Sequence, residues 1–356
     1  MLFLRVCGLL LKYIQSTNMK EKETIEQIGA SWKHVSNENW ESWQWQLKNS
    51  LQNLKNIEGG LQKVTERYRF RATPYYLSLI NWSDPNDPIR LQCIPDLREL
   101  DDHNKYSNDP FSEMQTAPNA SFVHRYPDRV LLIATNNCAM YCRHCTRKNT
   151  LDSMPQTGTR EFEQALQYIA DHPRVREVLI SGGDPLLLDT AKLDQLLTQI
   201  HAIEHIEVVR IGTRIPVVLP MRLNHDLVDM LRQHKPLWIN TQFNHPRELT
   251  KEAIKACRKL VDAGIPVSNQ SVLLKGINDS FDIMRELCAK LQRNLIRPYY
   301  LFQCDPILGI SHFRTDISAG VELENALQES LGGLCLPRFV ADLPNQKSKT
   351  PLWQCL

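Results

Sequence analysis

From about residue 128 the chain alternates short apolar runs with amphipathic stretches. The runs are RVLLIAT (129–135), EVLISGG (177–183), EVVRIGT (207–213), PLWINTQF (236–243), PVSNQSVLL (266–274) and RPYYLFQ (297–303). Their aliphatic and β-branched content is that of strands covered on both faces. Between them, REFEQALQYIADH (160–172), AKLDQLLTQIHAI (191–203) and KEAIKACRKLVDAG (251–264) place apolar residues at helical spacing. Strand–helix units recurring at roughly thirty residues predict a parallel sheet with right-handed crossovers. A last run, LCLPRFVADLP (334–344), is a candidate seventh strand.

Polar residues collect just after the strand ends: Asn136–Cys145, Gly182–Asp184, Thr213–Arg214, Asn244–His245 and Asp305. Side chains converging from nearly every strand end suit a barrel, whose site forms at the C-terminal mouth. A doubly wound sheet concentrates them at one switch point instead. The predicted architecture is therefore α/β, a partial (β/α)6 TIM-like barrel over residues 121–333. A mostly helical region precedes it (19–120), and a C-terminal segment follows (334–356).

Residues 1–18 are apolar but interrupted by Arg5 and Lys12, too short and too charged to span a bilayer. They lack a small-x-small cleavage site, and Met19 opens a polar helical stretch, KEKETIEQIGASW. They read as a disordered or mis-started extension of a cytoplasmic protein with no membrane partner.

Composition narrows the classes further. The 356 residues are 42% hydrophobic and 23% charged, with a formal net charge of +2, so neither disorder nor a nucleic-acid partner is indicated. Ten cysteines is unusual. Seven are scattered singly in apolar surroundings, as buried free thiols of a reducing compartment would be. Cys138, Cys142 and Cys145 instead form C-x3-C-x2-C directly after the first strand. A tight loop can present three thiolates to one face of a four-iron cluster, leaving the fourth iron open to a ligand. Zinc is the competing ion, but structural zinc asks for four ligands in paired spacing, and His144 is awkwardly placed as a fourth.

This spacing at this position resembles the radical S-adenosylmethionine (SAM) superfamily. Its open iron chelates SAM, and its reduced cluster cleaves SAM to a carbon radical. S-G-G-D-P (181–185) resembles the glycine-rich SAM-holding segment, with Gly182 and Gly183 allowing close backbone approach and Asp184 adding charge.

From about residue 70 to 351 the chain also resembles the lysine 2,3-aminomutases. The stretches that carry this include HRYPDRVLL (124–132), CAMYCRHCTR (138–147), RIGTRIPVVLP (210–220), NQSVLLKGIND (269–279) and RPYYLFQCD (297–305). The resemblance implies an isomerase that moves the α-amino group of L-lysine to the β-carbon. Its cofactors would be a [4Fe–4S] cluster, SAM and pyridoxal 5′-phosphate (PLP), with a flavodoxin- or ferredoxin-type electron donor. It further implies that Arg125, Tyr126 and Arg129 hold PLP and that Gln270 contacts SAM. Arg147 would meet the substrate carboxylate, and Asp305 and Asp342 its distal ammonium.

The PLP lysine has two candidates, Lys347 and Lys349, which on a strand would share a face. Lys349 precedes Thr350-Pro351 and keeps the family spacing to Asp342 and Pro344, so Lys349 is the expected catalytic and cofactor-binding residue. Three departures stand out. Glycines before the lysine are missing in PNQKSKTP (344–351), Gln242 stands where many relatives have histidine, and the long C-terminal tail is lacking. The short ending resembles the branch supplying β-lysine for elongation factor P modification; CDPILG and CRHCTR resemble the free-lysine enzymes. Two other readings stay open: a glutamate or other amino acid 2,3-aminomutase, disfavoured by Asp305, and a non-catalytic iron–sulfur or zinc-binding module.

Overall fold

Among the described residues, nine strands form one sheet in chain order. In this computed structural model the residues described are 34–52, 60–101, 106–111, 122–151, 159–344 and 346–355, with Trp32 and Glu113. The 1–18 extension, Cys7 and most of the stretch following Met19 lie outside them.

The strands are β1 (Phe122–Tyr126), β2 (Arg129–Thr135), β3 (Glu177–Gly182), β4 (Val208–Gly212), β5 (Leu237–Thr241), β6 (Val267–Leu273), β7 (Ile296–Gln303), β8 (Arg338–Ala341) and β9 (Thr350–Pro351). β2 to β8 run parallel, while β1 and β9 pair antiparallel to β2 and β8 at the two edges. β1 does not pair with β9, so the sheet is open: a partial barrel, as the strand periodicity predicts. All six expected runs are strands, with neither end displaced by more than two residues. The candidate seventh is β8, only four residues long, because Gly333–Cys335 forms a 3-10 turn before it. The periodicity gave no sign of β1 and β9. Each is a short edge strand with one paired side, too brief to carry a pattern.

Helices cover the outer face. Thr190–His201 buries Leu193, Leu196, Leu197 and Ile200; Lys251–Asp262 buries Ala253, Ala256, Cys257 and Leu260; Phe281–Arg293 buries Met284, Leu287, Cys288 and Leu291. The i, i+3, i+4 spacing puts each set on one stripe. Each leucine so buried contributes about 1.5–3 kcal/mol. Asp189, Asn224 and Thr250 start their helices by accepting hydrogen bonds from otherwise orphaned backbone N–H groups.

The short N-terminal helices join the same core through Leu61, Val64, Tyr75, Tyr76 and Ile89. Their tie to the barrel is polar as well, since Thr73 Oγ1 donates to the Val218 carbonyl at 2.6 Å. Cys93, Cys257, Cys288, Cys304 and Cys335 are buried free thiols, as expected. Among the described residues, no helix is long and apolar enough to cross a membrane.

Candidate active site

A cavity of about 370 Å³ lies over the C-terminal ends of the parallel strands. The residues assigned a site role from the sequence line it: Cys138, Cys142 and Cys145; Gly182, Gly183 and Asp184; Arg125, Tyr126 and Arg129; Arg147 and Gln270; Asp305, Asp342 and Lys349. Lys347 does not. It is exposed at a bend, and the strand begins only at Thr350, so the two lysines do not share a strand face.

The three cysteines follow β2 on a loop without regular structure. Burial, and then the neighbouring cysteines, push the Cys138 thiol well above its ordinary range and Cys145 up to about 11. Such thiols ionise only with a cation to compensate them. Arg214 Nη1 already lies 2.8 Å from Cys142 Sγ. Among the described residues no three His, Cys, Asp or Glu groups converge on a single ion. In an iron–sulfur cubane each thiolate meets a different iron, so its three cysteines need not converge on one point. The donor set fits the cluster.

The glycines after β3 serve packing as much as ligand approach. Gly182 has φ +117, and a Cβ there would meet Ile133 Cγ2 and the Thr135 carbonyl, each at 2.6 Å. A Cβ on Gly183 would fall 2.3 Å from the Asn137 carbonyl oxygen. The Gly183 and Asp184 N–H groups donate to the Thr135 and Asn137 carbonyls, both at 2.7 Å, which seats this segment on the cysteine loop. Asp184 accepts from Thr213 Oγ1 (2.6 Å) and from the Arg214 N–H (2.8 Å), tying the end of β3 to that of β4. Burial pushes its carboxyl up to about 6, against those hydrogen bonds.

The second half of the site forms where the sheet edges approach. The β8–β9 register pairs Ala341 with Thr350, which places Asp342 opposite Lys349. Lys349 Nζ lies 2.5 Å from Asp342 Oδ2 and sits 4.8 Å from the Phe302 ring centroid. From the other edge, Arg125 Nη1 reaches Asp342 Oδ1 at 3.1 Å, and the Tyr126 hydroxyl donates to the same oxygen. Arg129 lies over the Tyr126 ring, 4.6 Å from its centroid. Burial opposes ionisation of Asp342, but Lys349, Tyr126 and Arg125 together hold its carboxyl below the usual range. A lysine amine, aromatic faces and two arginines are a donor set that fits a phosphate-bearing aromatic aldehyde.

Asp305, after β7, differs. Burial and then the Asp342 charge push it up to about 7; Lys349 and Arg314 act on it from a distance, and neither forms an ion pair with it. Arg147 Nη2 holds both oxygens of Glu113 (2.9 and 3.0 Å), while its Nε is buried without a partner.

Sequence reasoning missed several neighbours. Glu113 lies outside any motif. Gln92, Tyr76 and Glu248, all fully buried, surround the Arg214 guanidinium, with contacts at 2.5, 3.4 and 2.7 Å. Only Arg214 carried a signal, as a charge just beyond a strand end.

The Radical SAM superfamily model matches residues 132–288. The L-lysine 2,3-aminomutase of Clostridium subterminale is 45% identical over 334 residues, covering 90% of this chain and 80% of that protein. That of Acetoanaerobium sticklandii is 43% identical over 330 residues, again 90% and 80%. The glutamate 2,3-aminomutase of Clostridioides difficile is 37% identical over 326 residues, covering 88% and 77%.

Proposed function

The chain belongs to the radical SAM family that contains the L-lysine 2,3-aminomutases, and we propose that its own reaction converts free L-lysine to β-lysine. It is an isomerase of the radical SAM class, and membership implies a [4Fe–4S] cluster, SAM and PLP. When bound, these supply one-electron cleavage of SAM for hydrogen abstraction and a conjugated ring through which nitrogen can migrate.

The protein's part is holding and positioning. Cys138, Cys142 and Cys145 would hold the cluster, and Gly182, Gly183, Asp184 and Gln270, which line the same cavity, would border SAM. Lys349 is the attachment point for PLP, with Arg125, Tyr126 and Arg129 around it. Asp342 Oδ2 holds the Lys349 ammonium proton before the amine is engaged. Asp342 and Asp305 would accept from the distal ammonium of the substrate. Arg147 offers its unpartnered Nε to the substrate carboxylate. The starting electron comes from a flavodoxin- or ferredoxin-type donor.

The observation that carries the choice of lysine is the acidic wall, Asp305 beside Asp342 in one cavity. An ε-ammonium relieves the repulsion between them, whereas glutamate would add a third carboxylate. The test is anaerobic reconstitution with iron, sulfide and PLP, followed by SAM, dithionite and either amino acid. Turnover of L-lysine well above L-glutamate supports the reading; a preference for glutamate overturns it.

A further inference from the structure

We propose that Arg214 tunes the reduction potential of the cluster through Cys142, with Glu248 as its buried counter-charge; this rests on the reading above that the cysteine loop carries a [4Fe–4S] cluster. Arg214 stands two residues past β4. The residue is 8% exposed, and its guanidinium is held on several sides. Nη1 donates to Cys142 Sγ (2.8 Å). Nη2 meets Glu248 Oε1 (2.7 Å) and Gln92 Oε1 (2.5 Å), and Nε donates to the Gln242 carbonyl (3.2 Å). The backbone N–H is fixed on Asp184. The positive charge therefore cannot swing away from the sulfur.

Glu248 is fixed as firmly. It is fully buried, its Oε1 also accepts from the Tyr76 hydroxyl (2.6 Å), and its Oε2 accepts from the Asn244 and His245 N–H groups (2.6 and 2.9 Å). The pair is an oriented dipole with its positive end on a ligating sulfur. Reduction adds one negative charge to the cluster, so a donor on its sulfur stabilises the reduced form more than the oxidised one. The low local dielectric leaves this effect weakly screened. Glu248 offsets part of it. Arg214 thus eases electron entry, and Glu248 preserves driving force for SAM cleavage. Arg214 sits against Gln92, and both charges sit against Tyr76, so the N-terminal helices take part in setting the potential.

The test is a dithionite titration of the reconstituted full-length protein, followed by the EPR signal of the reduced cluster, with iron and sulfide content measured in parallel. The variants are R214Q, E248Q and the R214Q/E248Q double variant. At one fixed poise, R214Q is expected to be less reduced than wild type by at least tenfold in the reduced-to-oxidised ratio, about 59 mV for a one-electron couple. E248Q shifts the opposite way, and the double variant falls between. R214Q leaves Glu248 buried and unpaired, so where it fails to fold, E248Q and the double variant decide. A purely structural role for Arg214 predicts loss of cluster without opposite shifts. Equal potentials in iron-replete variants, or shifts of the same sign, overturn the proposal while leaving the cluster assignment intact. A wild-type protein that takes up no cluster overturns the parent reading.

Discussion

Arg125 and Asp342 are 217 residues apart in the chain, stand at opposite edges of the nine-stranded sheet, and are paired at 3.1 Å. The barrel that its backbone leaves open is thus bridged by side chains. Asp342 is the junction: it takes Arg125 and Tyr126 from the β1 side and Lys349 from the β9 side. A cofactor held there touches both ends of the sheet, so its binding should depend on residues from each.

Borohydride reduction of the PLP-loaded protein is expected to label Lys349. The Lys347→Ala variant should be labelled as wild type is, and Lys349→Ala should not. Peptide mapping reads this directly, and a pyridoxyl group on Lys347 would contradict the assignment. Lys347 is exposed and outside the cavity that Lys349 lines.

Asp305 gives a pH signature with two opposite slopes. Its carboxyl, pushed up to about 7 by burial and the Asp342 charge, keeps its proton to higher pH in the folded protein than in the unfolded chain. Stability of the substrate-free protein therefore falls as pH rises from about 4 to 7. Lysine affinity runs the other way, since an ammonium needs the ionised carboxylate; it should rise from about pH 6 to 8 and then level off. Asp305→Asn should flatten both slopes. An unchanged affinity profile in that variant would place the ammonium site elsewhere.

Glu99 anchors the cysteine loop from the N-terminal region. It is fully buried and takes Arg143 Nε (2.9 Å) and Lys148 Nζ (2.5 Å), which flank Cys142 and Cys145. Lys148 also donates to the Gly309 carbonyl at 3.1 Å, carrying the tie to the loop after β7. Removing one partner of a buried ion network strands the others, so Glu99→Ala should cost about 3–5 kcal/mol in denaturant unfolding. Iron content after reconstitution should fall with it. A loss below about 1 kcal/mol would match an exposed pair and refute the anchoring role.

Glu113 occupies one edge of Arg147. If it competes there with the substrate carboxylate, Glu113→Gln lowers the KM for lysine with kcat nearly unchanged, and Arg147→Ala raises KM. Should both variants raise KM, Glu113 assists carboxylate binding rather than opposing it.

The barrel was legible because long parallel strands and their helices repeat two strong periodicities. The cysteines, Gly182 and Asp305 were legible because they fall at fixed offsets from strand ends. Asp342 and Lys349 were legible only through the resemblance to the aminomutases, whose seven-residue spacing between them the β8–β9 register explains. Their partnership with Arg125 and Tyr126 was not, because it depends on how the two sheet edges approach, a long-range outcome no local pattern records. The Arg214 hub was hidden for the same reason. Its partners Gln92 and Tyr76 come from short helices whose polar residues look, in sequence, like any solvated face.

The central claim is that nitrogen moves from Cα to Cβ of one lysine molecule within this cavity. L-Lysine labelled with ¹⁵N at the α-amino group, incubated with the reconstituted enzyme, SAM and dithionite, tests it by ¹⁵N NMR of the product. The account predicts β-lysine carrying the label on its β-carbon, undiluted by unlabelled ammonium in the medium. Cleavage of SAM with the label still on the α-carbon, or lost to solvent ammonium, would contradict it.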